Sequence, residues 1–278
     1  MDARPHEVRL GLTLPSFRDD PERIIEVAVA AEAAGLDAVF AYEHLFRVGP
    51  QGRRPSQDLW ATLGAVAAVT QRVRVGSLVA RATLRSAAVL AHAFATLQRV
   101  SDGRALAVLG AGDAESRAEN EEFGLAFGSL GERVAALGAA ADATRAVGIE
   151  TWIGGSHPDV LALCDQADGW NRWAGSVEVF ARDAATVRAR QPAATLTWGG
   201  LVVLDVDDEA AADKATRLGA SSAVLVGTPA TVARRIRPYV SAGATWVVLA
   251  PVDSSDPVNA TLVRDVGAHL GAGLESPG

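Results

Sequence analysis

The sequence predicts a single parallel (β/α)8 barrel spanning residues 1–278, an α/β fold. Three observations carry that prediction. Short apolar runs of β type alternate with longer helical runs along the whole chain, as expected for a parallel sheet covered by helices. Eight such β-type runs occur, the number that closes a barrel, and 278 residues is an ordinary length for one barrel domain. The rival architecture, a doubly wound open sheet, would carry a G-x-G-x-x-G turn after its first strand. Here the first strand leads instead into Ser16, Phe17, Arg18, Asp19 and Asp20.

The elements follow in order. The first strand is read over residues 8–15. Asp20 caps a helix with Pro21 in its first turn and Gly35 past its end, the usual punctuation of a helix. Ile24, Val27, Ala28 and Ala31 share its inner face. A second strand covers 38–42. A polar loop follows over 47–57, with Gly49, Pro50, Gly52 and Pro55, and Asp58 opens the next helix. The third strand is 73–79. The helix after it covers 86–100, with Val89, Leu90, Ala93, Phe94 and Leu97 inward and Gly103 at its stop. The fourth strand is 104–109, followed by a glycine-containing loop, an acidic helical stretch and a helix over 131–147. Further strands are read at 151–154, 169–173, 195–204 and 246–250. Helices are read at 158–167, 176–189, 208–218, from Thr228 and Pro229 to Gly243, and at 258–270. Residues 271–278 read as a loose tail, and no linker or low-complexity tract divides the chain.

Composition narrows the function classes. A net charge of −7 argues against a nucleic-acid binder, which shows a basic face, and suits a small-molecule substrate. Cys164 is the only cysteine, so no internal disulfide forms and the cytoplasm is the expected location. The first ten residues lack the apolar run of a signal peptide, and no uncharged stretch is long enough to predict a membrane span. Lys214, the only lysine, lies in a charged helical stretch that gives no support to a Schiff-base role.

In such a barrel, chemistry collects at the C-terminal ends of the strands. The second strand ends in Tyr42, Glu43 and His44; His44 reads either as a proton carrier at the mouth or as a residue that orders the loop. The third ends in Gly76, Ser77, Leu78 and Val79, where glycine permits a bulge or a ligand's approach. The fourth ends in Leu109, Gly110, Ala111, Gly112 and Asp113. Its glycines bring backbone N–H groups near a ligand, and Asp113 is a candidate proton donor. Glu115, Glu119, Glu121 and Glu122 read as a solvated helix face. The fifth ends in Gly154, Gly155 and Ser156, followed by His157 and Pro158 at a helix start. That arrangement suits either an anion site or a tight turn. In the sixth, Asn171 or Arg172 faces the mouth, and Trp170 and Trp173 read as packing residues. His92 reads as a core or interface residue of its helix. No P-loop, H-E-x-x-H or G-x-S-x-G is present, and no His or Cys pair has zinc spacing, so no metal site is expected. Asp205, Asp207 and Asp208 suit the N-terminus of an acidic helix.

Read together, these segments resemble the bacterial luciferase-like superfamily, and within it the branch that uses the deazaflavin coenzyme F420. The matching pieces are residues 10–15 with the following helix, GLDAVFAYEHLF at 35–46, VRVGSLV at 73–79 and LGAGDAESRAENEEFG at 109–124. WIGGSHPDVLALCDQADGWN at 152–171 and GTPATVARRIRPYVSAGATWVVL at 227–249 complete the ordered set. The resemblance implies an oxidoreductase that transfers a hydride between coenzyme F420 and an organic substrate. His44 then stands near the hydride-carrying carbon, and Asp113 is the second acid–base residue. Ser77, Leu78 and Val79 form a bulge, often with a non-proline cis peptide, behind the ring. Gly110, Ala111, Gly112, Ser116 and Asn171 are further cofactor contacts, and Gly154, Gly155 and Ser156 bind its phosphate. Arg53, Arg54 and Arg172 are candidates for an acidic tail. The alternatives are an FMN-dependent monooxygenase, a flavin- or deazaflavin-binding protein without turnover, and a barrel for another phosphorylated metabolite. A homodimer is common in the family. The chain departs from the pattern at 132–150, where family members carry a long excursion and this sequence has little more than a helix.

Overall fold

The computed structural model describes residues 8–17, 20–49, 52–114 and 116–271. Among the described residues twelve strands and ten α-helices are formed: β1 (Arg9–Thr13), α1 (Glu22–Ala34), β2 (Ala38–Ala41), β3 (Phe46–Gly49), β4 (Gly52–Pro55), α2 (Leu59–Val69), β5 (Arg74–Ser77), β6 (Ala80–Arg81), α3 (Ala87–Val100), β7 (Ala105–Gly110), α4 (Ser116–Glu122) and α5 (Leu130–Ala146). Then come β8 (Thr151–Gly154), α6 (Pro158–Leu161), β9 (Gly169–Trp173), α7 (Val177–Arg190), β10 (Thr195–Leu204), α8 (Asp208–Leu218), β11 (Leu225–Gly227), α9 (Pro229–Ser241), β12 (Trp246–Pro251) and α10 (Val258–Gly271).

Eight strands close the barrel in the order β1, β2, β5, β7, β8, β9, β10, β12, and β12 pairs back to β1, every pairing parallel. These are the eight strands expected. β6 extends the wall past β5 by pairing with β7. The three-residue β11, too short to stand out in the sequence, pairs with the far end of β10.

Local chemistry sets the helix limits. Asp58 accepts from the Trp60 and Ala61 amides at the start of α2, and Ser129 with Glu132 forms a capping box on α5. These bonds satisfy amides that a first helical turn leaves without partners. Gly35 ends α1 at φ 81°, and Ile24, Val27, Ala28 and Ala31 are buried as expected.

Several expectations are corrected. On α3 the buried residues are Leu90, Ala91, Phe94 and Leu97. Val89 is exposed and Ala93 only partly buried, because the inward stripe runs through 90, 94 and 97, and Val89 lies off its edge. His92 is exposed and so is not a core residue. The loop at 47–57 contains an antiparallel hairpin, β3 with β4. Its strands lack alternating apolar residues. The Arg53 guanidinium, 4.1 Å from the Phe46 ring centre, ties the two strands together, and its pairing with Glu122 holds the hairpin from outside. The helix expected at 158–167 is broken into α6 and a 3-10 turn, Cys164–Gln166, whose amides reach back three residues. The third strand ends at Ser77, and the next peptide bond, Leu78–Val79, is cis. Gly271 closes α10; residues 272–278, where the loose tail was expected, lie outside the described residues.

The barrel interior is packed with Phe40, Leu106, Val108, Trp152, Trp246 and Val248. Such rings need small partners on facing strands. A Cβ on Gly169 would lie 2.6 Å from the Trp152 ring and 2.9 Å from the Thr195 carbonyl. Gly169→Ala is therefore expected to lower stability by about 1–3 kcal/mol, read as a lower urea midpoint with an unchanged slope. Cys164 is 1% exposed, and burial pushes its thiol up to about 12. It is thus expected to resist alkylation in the native protein at pH 8 and to react at the rate of unfolding. Rapid labelling without unfolding would contradict that burial. Among the described residues, no helix is long and apolar enough to cross a membrane.

Candidate active site

A cavity of about 750 Å³ opens at the C-terminal ends of the strands, the end of a barrel where ligands bind. Among the sequence-derived candidates, His44, Leu78, Val79, Gly110, Ala111, Gly112, Asp113, Ser116, Gly154, Gly155, Ser156 and Asn171 line it. Ser77 does not. Its hydroxyl donates to the Val108 carbonyl at 2.8 Å and accepts from the Val108 amide at 3.1 Å, joining β5 to β7 inside the wall. Arg53, Arg54 and Arg172 are also outside the lining; Arg172 pairs with Asp183 at 3.0 Å.

The residue that sequence reasoning missed is Glu119. It was read as part of a solvated face, yet only 4% of its side chain is exposed. The α4 turn places Ser116, Glu119 and Asn120 inward together. Glu119 Oε1 lies 2.6 Å from His44 Nδ1. Its Oε2 accepts from the Leu45 amide at 2.7 Å and from Arg81 Nη1 at 2.9 Å. Arg81, 2% exposed, also pairs through Nη2 with Asn120 Oδ1. Glu43 repeats the design one layer away: it accepts from the Arg81 amide at 2.7 Å and from Trp60 Nε1 at 3.2 Å, and pairs with Arg85. Two buried carboxylates and two arginines thus balance each other beneath His44.

Burial alone would raise the Glu119 carboxyl, but the His44 and Leu45 hydrogen bonds and the nearby positive charge hold it below its ordinary value. Burial draws the Arg81 guanidinium down, against the pull of Glu119, Glu43 and Asp113. An ionised Glu119 requires a proton on His44 Nδ1, so in the neutral ring Nε2 is left as the acceptor. This is the arrangement by which a carboxylate fixes a histidine tautomer. Desolvation, opposed by a bond with Thr13 and by Arg47, pushes the Tyr42 phenol up to about 12.

Val79, Gly110, Gly154 and Asn171 line another part of the cavity wall. Val79 fills the space where Gly110 and Gly154 lack side chains; a Cβ on Gly154 would come within 2.7 Å of Val79 Cγ1, and one on Gly110 would clash with the same residue. The Asn171 side chain is buried there, and among the described residues its Nδ2 has no partner, a condition that asks for a ligand acceptor. Asp113 is exposed, and its Oδ1 accepts from the Ser116 amide at 3.0 Å and the Ser116 hydroxyl at 2.9 Å. Ser116 is therefore spent on shaping this loop. Trp173, expected to be packing, is 37% exposed and lines the cavity. No group of His, Cys, Asp and Glu among the described residues has the makings of a metal site. Asp207 caps α8, and Asp208 accepts from Thr228 and Thr231.

Comparison with known proteins agrees with this architecture. Residues 4–148 match the family model described as luciferase-like monooxygenase. An F420-dependent glucose-6-phosphate dehydrogenase of Nakamurella multipartita is 40% identical over 135 residues, 48% of this chain and 38% of that protein. One from Kineococcus radiotolerans is 36% identical over 140 residues, 49% and 40% of the two chains. The chain thus matches about two fifths of the length of these relatives. Among solved structures, an F420-dependent secondary alcohol dehydrogenase, in complex with an F420-acetone adduct, superposes with a TM-score of 0.80 at 15% identity, covering 95% of this chain and 99% of that one. A type II Baeyer-Villiger monooxygenase component from Pseudomonas putida, in complex with FMN, superposes at 0.72 with 13% identity, covering 98% and 100%. These two share the fold. With more than half of its length matched by the family model, the chain belongs to the luciferase-like monooxygenase family.

Proposed function

We propose that this protein is an oxidoreductase that binds coenzyme F420 in the cavity and acts on an organic small molecule beside His44. The carrying observation is the His44–Glu119–Arg81 chain of bonds at a cavity of about 750 Å³ on the C-terminal side of the barrel. The residues present fit the cofactor. Leu78 and Val79 offer an apolar backing, Gly110 and Gly154 let Val79 pack flush against their strands along the cavity wall, and Asn171 Nδ2, which has no partner among the described residues, offers a donor. Gly154, Gly155 and Ser156 are the residues that would hold a phosphate. When bound, the deazaflavin supplies a two-electron hydride acceptor or donor.

The protein's own part is proton management and positioning. His44 Nε2 takes a proton from a substrate hydroxyl or returns it to a carbonyl oxygen, and Glu119 holds the ring in the tautomer this requires. Asp113 is the second acid–base group, through the oxygen that Ser116 does not engage. The aromatic walls exclude water from the reacting atoms. The named substrate of the curated relatives is not carried over, because less than half of this chain matches them.

Titration with coenzyme F420 and with FMN tests the reading. F420 is expected to bind at micromolar concentration and more tightly than FMN, and the reduced complex is expected to consume no oxygen. Tight FMN binding with oxygen uptake would replace the reading with a monooxygenase, and binding of neither would end it. We also propose a cytoplasmic homodimer, supported by the family resemblance and by the single buried cysteine. Light scattering at micromolar concentration tests the subunit number.

A further inference from the structure

We infer that the molecule taken up beside His44 is an uncharged alcohol or carbonyl compound with an aryl or alkyl body, and not a phosphorylated sugar. This rests on the reading of the cavity as a cofactor and substrate site.

The wall around His44 is aromatic. Phe17 stacks on Tyr42 with ring centres 5.6 Å apart, and Tyr42 meets the edge of Trp173 at 6.2 Å. The His44 ring lies 5.6 Å from Phe17. Phe46 and Val48 continue this surface along the hairpin. Such a wall contributes through apolar contact and ring packing and offers few polar groups to sugar hydroxyls.

The charges point the same way. Among the described residues, the charged side chains lining the cavity are Glu43, Asp113 and Glu119 against Arg47 and Arg81, histidines aside. Arg81 is bonded to Glu119 and Asn120, so it is committed beneath the floor. Arg47 lies on the exposed hairpin with its guanidinium 5.4 Å from the Phe17 ring centre. Lys214 is bound to Asp253 at 2.5 Å and lies outside the lining. A phosphate monoester carries about two negative charges near neutral pH, and strong phosphate sites surround it with several converging donors. Here Glu43 and Glu119 already hold Arg85 and Arg81, so it would meet the exposed carboxylate of Asp113 and one rim cation that already covers a ring. A neutral hydroxyl or carbonyl needs only the single hydrogen bond that His44 Nε2 supplies.

The test uses the full-length protein and two separate readouts. F420 titration reports on the cofactor reading; if F420 does not bind, that reading fails, and this inference falls with it. With F420 bound, saturation-transfer NMR and tryptophan fluorescence follow acetophenone, glucose 6-phosphate and inorganic phosphate. Acetophenone is expected to bind at least about tenfold more tightly than glucose 6-phosphate, to lose its fluorescence effect in Trp173→Phe, and to resist displacement by phosphate. In turnover, 1-phenylethanol is expected to exceed glucose 6-phosphate in kcat/KM on the order of a hundredfold. Equal or tighter binding of glucose 6-phosphate, displacement by phosphate, or no binding of acetophenone while F420 is held would each overturn the inference with the cofactor reading intact.

Discussion

Glu119→Ala is expected to destabilise the protein by about 3–5 kcal/mol, the usual cost of stripping one partner from a buried ion pair. The alanine leaves the Arg81 guanidinium, 2% exposed, without its carboxylate, and it removes the acceptors of His44 Nδ1 and the Leu45 amide at one stroke. Glu119→Gln should cost less, because an amide oxygen still accepts one of those bonds while the charge match is lost. The pH dependence separates the two. The folded carboxyl sits below its ordinary value, so its ionisation stabilises the fold above the unfolded carboxyl's pKa of about 4.3. That contribution is lost as pH falls from there through the lower folded value. The gap between wild type and Glu119→Gln should therefore narrow between neutral pH and acid. Urea unfolding at pH 7 and at about pH 3, well below the unfolded value, measures it, and an alanine variant within experimental error of wild type would remove the ion pair from the account of stability.

His44→Ala is expected to lower kcat by about 10²–10⁴-fold, the range for losing a positioned acid–base group. F420 affinity should change little, because Leu78, Val79, Asn171 and the Gly154–Ser156 turn, the residues proposed to hold it, are separate from this ring. The expected signature is a split: turnover falls while cofactor binding survives. Stopped-flow reduction of bound F420 separates the chemical step from product release. A protein that merely carries the cofactor would show no turnover to lose, and comparable rates in wild type and variant would shift the proton transfer to Asp113 or to water.

The barrel was legible because it depends on period and punctuation. Alternation of apolar and helical runs is repeated eight times, and one misplaced boundary does not change the topology. The hairpin β3–β4 was not legible: its residues, Arg47 opposite Arg54, carry no pattern of a buried face. The site divides in the same way. His44, Val79 and Gly154 stand at or just past strand ends, where position alone marks them, and Asn171 lies inside the short β9. Glu119 stands on a short helix rich in carboxylates, and composition hid it. One signal was available: Ser116, Glu119 and Asn120 recur at helical spacing and form a polar stripe distinct from Arg117, Glu121 and Glu122. Trp173 was misjudged for a related reason, since a tryptophan at a strand end is equally at home in a core. Which of the two it becomes depends on the long-range register of β9 against β10.

Val79 wedged between two absent side chains makes volume in this region a shared quantity among three strands. Substitutions there should be non-additive. Gly154→Ala alone forces a collision, and Val79→Ala alone opens a void, yet in the double variant the added methyl refills part of the space that the two lost methyls leave. Sequences that drift apart at these positions should drift in concert, with a bulkier residue on one strand matched by a slimmer one on its neighbour.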